Sequence, residues 1–169
     1  MQRPDLGRVP EFYHNYINHV IENDLMNAFK NQTPVVMGFL ASIPDDKIDH
    51  AYAEGKWTIK DTLVHLSDCE RVLIYRAMRI ARGDKTELPG FDEKLLSLNA
   101  NANSRKIAGI LNELKLARTA SIAFIETLNE EELNRTGTAN GFPLSARLLV
   151  NHIYGHHQHH LNILKERYF

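Results

Sequence analysis

Five of the nine histidines in this chain fall between positions 152 and 160, in the run NHIYGHHQHHLNIL. On a helix, residues four apart sit about 40° round the axis and about 6 Å along it, so two imidazoles at that spacing can converge on one ion. Two such pairs occur here, His152 with His156 and His156 with His160. The apolar positions Leu149, Ile153, Ile163 and Leu164 choose between them. On a helical wheel they mark one sector; His160 lies in it, His156 lies beside it, and His152 and His159 fall toward its edge. His156 and His160 are the expected inward pair, with His157 and His160 as the next choice. The competing reading is a set of core imidazoles satisfied by hydrogen bonds. Two inward rings one turn apart leave several polar nitrogens to satisfy, which shifts the balance toward a bound ion.

A third ligand has to come from another helix. In WTIKDTLVHLSDCERVLIYRAMRIARGD, His65 lies at the margin of a broad apolar face, with Asp61, Asp68, Cys69 and Arg76 on the same side. Any of Asp61, Asp68 and Cys69 could bind an ion or orient a ligand imidazole. Cys69 sits one turn after His65, although a buried free cysteine more often behaves as a small hydrophobe. Glu70 falls near the apolar face, which is unusual for an acid. It reads either as the partner of an arginine or as a proton-transfer carboxylate.

Three neutral imidazoles leave a coordination position open, which is the arrangement of a catalytic ion and not of a closed structural one. A dication lowers the pKa of what it binds, so hydroxide or a thiolate could form there at neutral pH. Asp68 and Glu70 are the candidate catalytic residues for such chemistry, as orienting or proton-handling groups.

The elements that must position these residues read as helices with no strands. A long first helix is expected from Glu11 to about Ser42, kinked or broken near Thr33-Pro34. Thr58 and Asp61 resemble a capping box, so a second helix should begin near Ile59 and end at Ala81 or Arg82, before Gly83-Asp84. Roughly twenty residues of crossover follow, with Asp92 to Leu98 as a short helical piece. A connection of that length lets helices two and three run parallel. The third helix is expected over about Ser104 to Leu128, with Ile107, Ile110, Leu111, Leu114, Ile122 and Ile125 buried. The last should begin at Pro143 or Leu144 and run nearly to Phe169.

Composition sets the limits. The chain has 169 residues, 43% hydrophobic and 24% charged, which suits one packed domain over 1–169. A net charge of -1 and a pI near 6.8 give no bulk attraction to nucleic acid or anionic lipid. No stretch approaches the ~20 apolar residues of a membrane span and no signal h-region is visible, so a cytoplasmic protein is expected. The lone Cys69 cannot form an intrachain disulfide, which fits a reducing compartment.

The stretch from Lys56-Trp57-Thr58 through His65 to Glu70-Arg71, continuing to Gly83-Asp84 and Leu88-Pro89-Gly90-Phe91-Asp92, resembles the DinB/YfiT-like superfamily. The segment from Asn151 to Leu161 resembles that family's second signature. The resemblance implies an all-α, up-down-down-up four-helix bundle. It also implies a divalent metal, commonly nickel or zinc, on His65, His156 and His160. It further implies a metal-activated low-molecular-weight thiol, transferred to an electrophilic small-molecule substrate, and it allows a homodimer. Two alternatives stand beside it: a metal-dependent hydrolase using a bound hydroxide, and a non-catalytic metal-binding bundle.

Overall fold

A computed structural model describes residues 1–21 and 24–169. The chain opens with short 3-10 turns and α1 (His14–Asn18). Then come α2 (Leu25–Ala41), α3 (Ile59–Ala81), α4 (Glu93–Asn99), α5 (Ile107–Ile125) and α6 (Glu130–Asn134). An antiparallel hairpin of β1 (Thr136–Ala139) and β2 (Phe142–Ser145) leads into α7 (Ala146–Arg167).

The four long helices α2, α3, α5 and α7 form the bundle, and side-chain contacts give their directions. Phe29 meets Tyr154 near one end of α2 and Phe39 meets Phe169 near the other, so α2 and α7 run parallel. His65 meets His160, while Arg135, just before the hairpin, donates to the Ala81 carbonyl, so α3 and α7 run antiparallel. Lys60 reaches Asn103, Glu70 reaches Arg118 and Arg82 reaches Phe124, so α3 and α5 run parallel. The order is up-down-down-up, and the crossover through α4 is what permits the parallel pair.

Local chemistry fixes the ends. Thr58 Oγ1 accepts from the Asp61 amide at 3.1 Å and Asp61 Oδ2 accepts from the Thr58 amide at 3.0 Å, closing a capping box on α3. Gly83, at φ 84, turns the chain away at its other end. Ser145 caps α7.

Three expectations need correction. The first helix is not continuous from Glu11 to Ser42: α1 ends at Asn18, and α2 starts afresh at Leu25 under an Asp24 cap. Residues 22 and 23 of the expected helix lie outside the described residues. Pro34 does not break α2. The carbonyl it deprives of a donor belongs to Lys30, and both residues face solvent, where water replaces the missing N–H. Pro143 lies in β2 and α7 begins only at Ala146, because the Asn140-Gly141 turn, at φ 54 and 76, folds the preceding residues into a hairpin. Among the described residues, no helix is long and apolar enough to cross a membrane.

Apolar packing divides into two clusters. One lies around the first half of α7 and the last turns of α3; the other lies around the opposite ends of the same helices. Between them α3 and α7 carry buried polar residues, His65, Ser67, Glu70, His156 and His157.

Candidate metal centre

This polar layer holds the site. His65 projects from α3, and His156 and His160 project from α7. Their ring centroids lie 5.0 Å (65 to 156), 4.9 Å (65 to 160) and 4.6 Å (156 to 160) apart. His156 Nε2 stands 3.1 Å from His65 Nε2 and 3.2 Å from His160 Nε2. An imidazole nitrogen carries one proton or one lone pair, so His156 Nε2 can make one linear N–H···N bond and not two. A cation shared by three lone pairs satisfies all of them. A tetrahedral ion with bonds of about 2.0–2.1 Å spaces its nitrogen ligands by about 3.3 Å, and both separations lie near that value. The donor set therefore fits a metal ion.

Burial keeps the lone pairs available. Desolvation first, and then the neighbouring imidazoles, lower the pKa of His65 to about 4 and of His160 to about 2, and push His156 well below its ordinary 6.5. All three rings are neutral at neutral pH.

Cys69 Sγ lies 3.5 Å from His65 Nδ1 and 3.7 Å from its Nε2. It is the other conceivable third donor, since ligand atoms of His65, Cys69 and His156 lie within 4.8 Å of one another. Burial, followed by the charges of Glu93 and Asp68, pushes its thiol up to about 12. With no ion beside it the thiol is neutral and packs against the His65 ring.

Trp57 covers His65 and His160, with ring centroids 4.6 and 6.4 Å away. Tyr16 of α1 packs on His152, His156 and His159 at 4.6, 5.6 and 5.3 Å. That approach depends on Gly155, where an added Cβ would stand 2.0 Å from the Tyr16 carbonyl oxygen. Beside His160, which is less buried than the other two, a cleft of about 840 Å³ opens between Trp57, Tyr168, α4 and the 101–104 turn. Lys56, Lys94 and Glu93 line it.

Neither expected catalytic carboxylate is hydrogen-bonded to the three rings among the described residues. Asp68 Oδ1 accepts from Arg71 at 3.1 Å. Glu70 receives Arg118 Nε on both oxygens at 3.1 Å, and His157 Nε2 lies 2.9 Å from its Oε2. Its arginine-partner reading describes what the geometry contains. His157, the alternative ligand, thus faces Glu70. His152 is buried and not at the edge where the wheel put it, because Tyr13 and Tyr16 cover it at 5.0 and 4.6 Å. Tyr16, Trp57 and Glu93 escaped the sequence reading because other elements bring them in; only the aromatic content of the flanking segments hinted at the first two.

Comparison with known proteins adds to this picture. A family model described as the DinB superfamily matches residues 28–164. A protein of Oceanobacillus iheyensis named "Putative metal-dependent hydrolase OB0413" is 26% identical over 132 residues, covering 73% of this chain and 72% of that protein. Among solved structures, YfiT from Bacillus subtilis superposes with a TM-score of 0.72 at 16% identity, over 98% of this chain and 91% of that one. It is described as "a probable metal-dependent hydrolase with an unusual four-helix bundle topology". At that identity the likeness concerns the fold.

Proposed function

The chain belongs to the DinB superfamily, and on that footing we propose that it is a metal-dependent enzyme acting on a small electrophilic molecule. The ion, nickel or zinc, is held by His65, His156 and His160. One observation carries this reading: three neutral imidazoles from two helices meet at a point that His160 opens to a large cleft. When bound, the ion supplies a Lewis acid that makes a protic nucleophile reactive near neutral pH.

The protein's own groups do the rest. Cys69 and Trp57 fix the His65 ring, and Tyr16 packs on His156. Glu93 lines the cleft, and its charge reaches both Cys69 and Tyr16. Of the two carboxylates that line the cleft, Asp61 is engaged by the Thr58 amide and hydroxyl, which leaves Glu93 to take a proton from a nucleophile; Asp68 is paired with Arg71 and Glu70 with Arg118. Lys56 and Lys94 draw anionic substrates to the mouth.

Water is the nucleophile that an open cleft always offers, and the Oceanobacillus iheyensis relative carries a hydrolase name, so hydrolysis is the first reading. Transfer of a low-molecular-weight thiol is the second. The cleft of about 840 Å³ favours it, being roomy enough for a thiol and its acceptor together. The test is turnover of ester, amide and thiol-acceptor panels by nickel-loaded, zinc-loaded and chelated protein. Metal-dependent turnover of one panel, abolished in His65→Ala, is expected. Absence of turnover with either metal on every panel would favour a non-catalytic bundle.

A further inference from the structure

Arg76 is a cation at 6% exposure and, among the described residues, has no carboxylate in an ion pair with it. Its guanidinium has five N–H donors. Nη2 donates to the Pro89 carbonyl at 2.5 Å, and the Phe91 ring lies 5.4 Å from the guanidinium carbon. Other buried cations of this bundle are paired: Arg118 with Glu70, and Arg147 with Glu130. An unpaired buried charge is costly, so its retention calls for a function.

Its surroundings are equally unfinished. Arg76 follows His65 by eleven residues, about three turns further along α3 and on nearly the same face. On antiparallel α7, His152 lies two turns from His160 in the matching direction. Tyr13 packs edge-on against His152 with ring centroids 5.0 Å apart, and the helical register that puts Arg76 on the His65 face of α3 turns its charge toward the same stripe, where His152 and Tyr13 feel it. His152 is 8% exposed, and neither of its ring nitrogens has a hydrogen-bond partner. Buried polar atoms are seldom left so. A neutral His152 offers one N–H and Tyr13 one O–H, both near a guanidinium that lacks an anion.

We propose that Arg76, His152 and Tyr13 form a carboxylate-binding subsite at the end of the α3–α7 stripe away from His160, anchoring an acidic substrate whose other end reaches the metal centre. One uncompensated positive charge in an enclosed place balances one negative charge, which suits a carboxylate better than a doubly charged phosphate. Phe91, 39% exposed, lies between the guanidinium and the solvent-facing surface of the crossover. The subsite deepens the metal-centre reading and rests on it only for the reacting end of the substrate.

The probe is benzoate, with benzamide as its uncharged counterpart, added to zinc-saturated protein. The readouts are the Arg76 Nε–H resonance and calorimetric affinity. Benzoate should shift that resonance saturably and benzamide should not; Arg76→Gln should weaken benzoate by about tenfold or more, with bound zinc unchanged. Arg76→Lys, which keeps the charge, should retain part of the affinity and serves if the glutamine variant does not fold. A silent Arg76 resonance, or undiminished affinity in Arg76→Gln, would overturn the proposal. The titration is repeated after chelation. Binding that vanishes with the zinc and persists in Arg76→Gln belongs to the ion, which overturns the subsite and leaves the metal centre standing.

Discussion

At the scale of single residues, Glu70 shows how a charge is kept in this core. Burial opposes its ionisation, but Arg118, His157 and Ser121 together outweigh burial and hold its pKa at about 2, against an ordinary 4.5. A folded-state pKa below the unfolded one means that the unfolded chain takes up the proton first as pH falls. The stabilisation is complete above about pH 4.5 and is lost on the way down to about 2. Glu70→Gln should cost about 3–5 kcal/mol at pH 7, because Arg118 is left buried without its anion. Denaturant melts across a pH series should show that gap narrowing below pH 4.5. Cys69 makes the opposite case: its thiol is held protonated, so Cys69→Ala should leave bound metal at wild-type stoichiometry by elemental analysis. Loss of the ion in that variant would make sulfur a ligand. The His156–His160 spacing was legible because one helical period suffices to read it, whereas periodicity left His65 at the margin of its face and the family resemblance singled it out. The surroundings of His152 were not legible, since a wheel drawn for α7 knows nothing of the tyrosines that α1 lays over it.

At the scale of elements, the crossing of α1 over α7 governs how the histidine rings are packed. Gly155 lets the Tyr16 backbone approach closely, and a methyl group there meets backbone atoms that cannot swing aside. Gly155→Ala should destabilise the fold by about 1–3 kcal/mol despite alanine's better helix propensity, as read from denaturant midpoints. An unchanged or raised midpoint would show that α1 is free to shift. The bounds of α3 could be read from Thr58, Asp61 and Gly83, whose side-chain chemistry is local. The gap before Leu25 carried only the six-residue step from Val20 to Met26 as a sign, because the apolar residues on either side of it, Phe12-Tyr16-Val20 and Met26-Phe29, keep helical spacing. The hairpin carried one overlooked sign, the Asn140-Gly141 pair, but its four-residue strands, Thr-Gly-Thr-Ala and Phe-Pro-Leu-Ser, lack apolar alternation.

At the scale of the whole molecule, an ion held as we propose would cross-link the two helices that share the polar layer. An ion that binds only the folded chain adds about 2.7 kcal/mol of stability at a free concentration one hundred times its dissociation constant. Chelation should therefore lower the melting temperature by several degrees, and re-addition of nickel or zinc should restore it. The length of the crossover made a parallel α3–α5 pair possible without requiring it, and the up-down-down-up order was legible only through the family resemblance. The cleft was not, since its walls come from segments far apart in sequence, Trp57, α4 and Tyr168. The most direct test of the metal centre is elemental analysis of wild-type and His156→Ala proteins purified in parallel and saturated with nickel or zinc. One ion per chain in the wild type and its loss in the variant is the predicted result; a stoichiometric ion retained without His156 would contradict it.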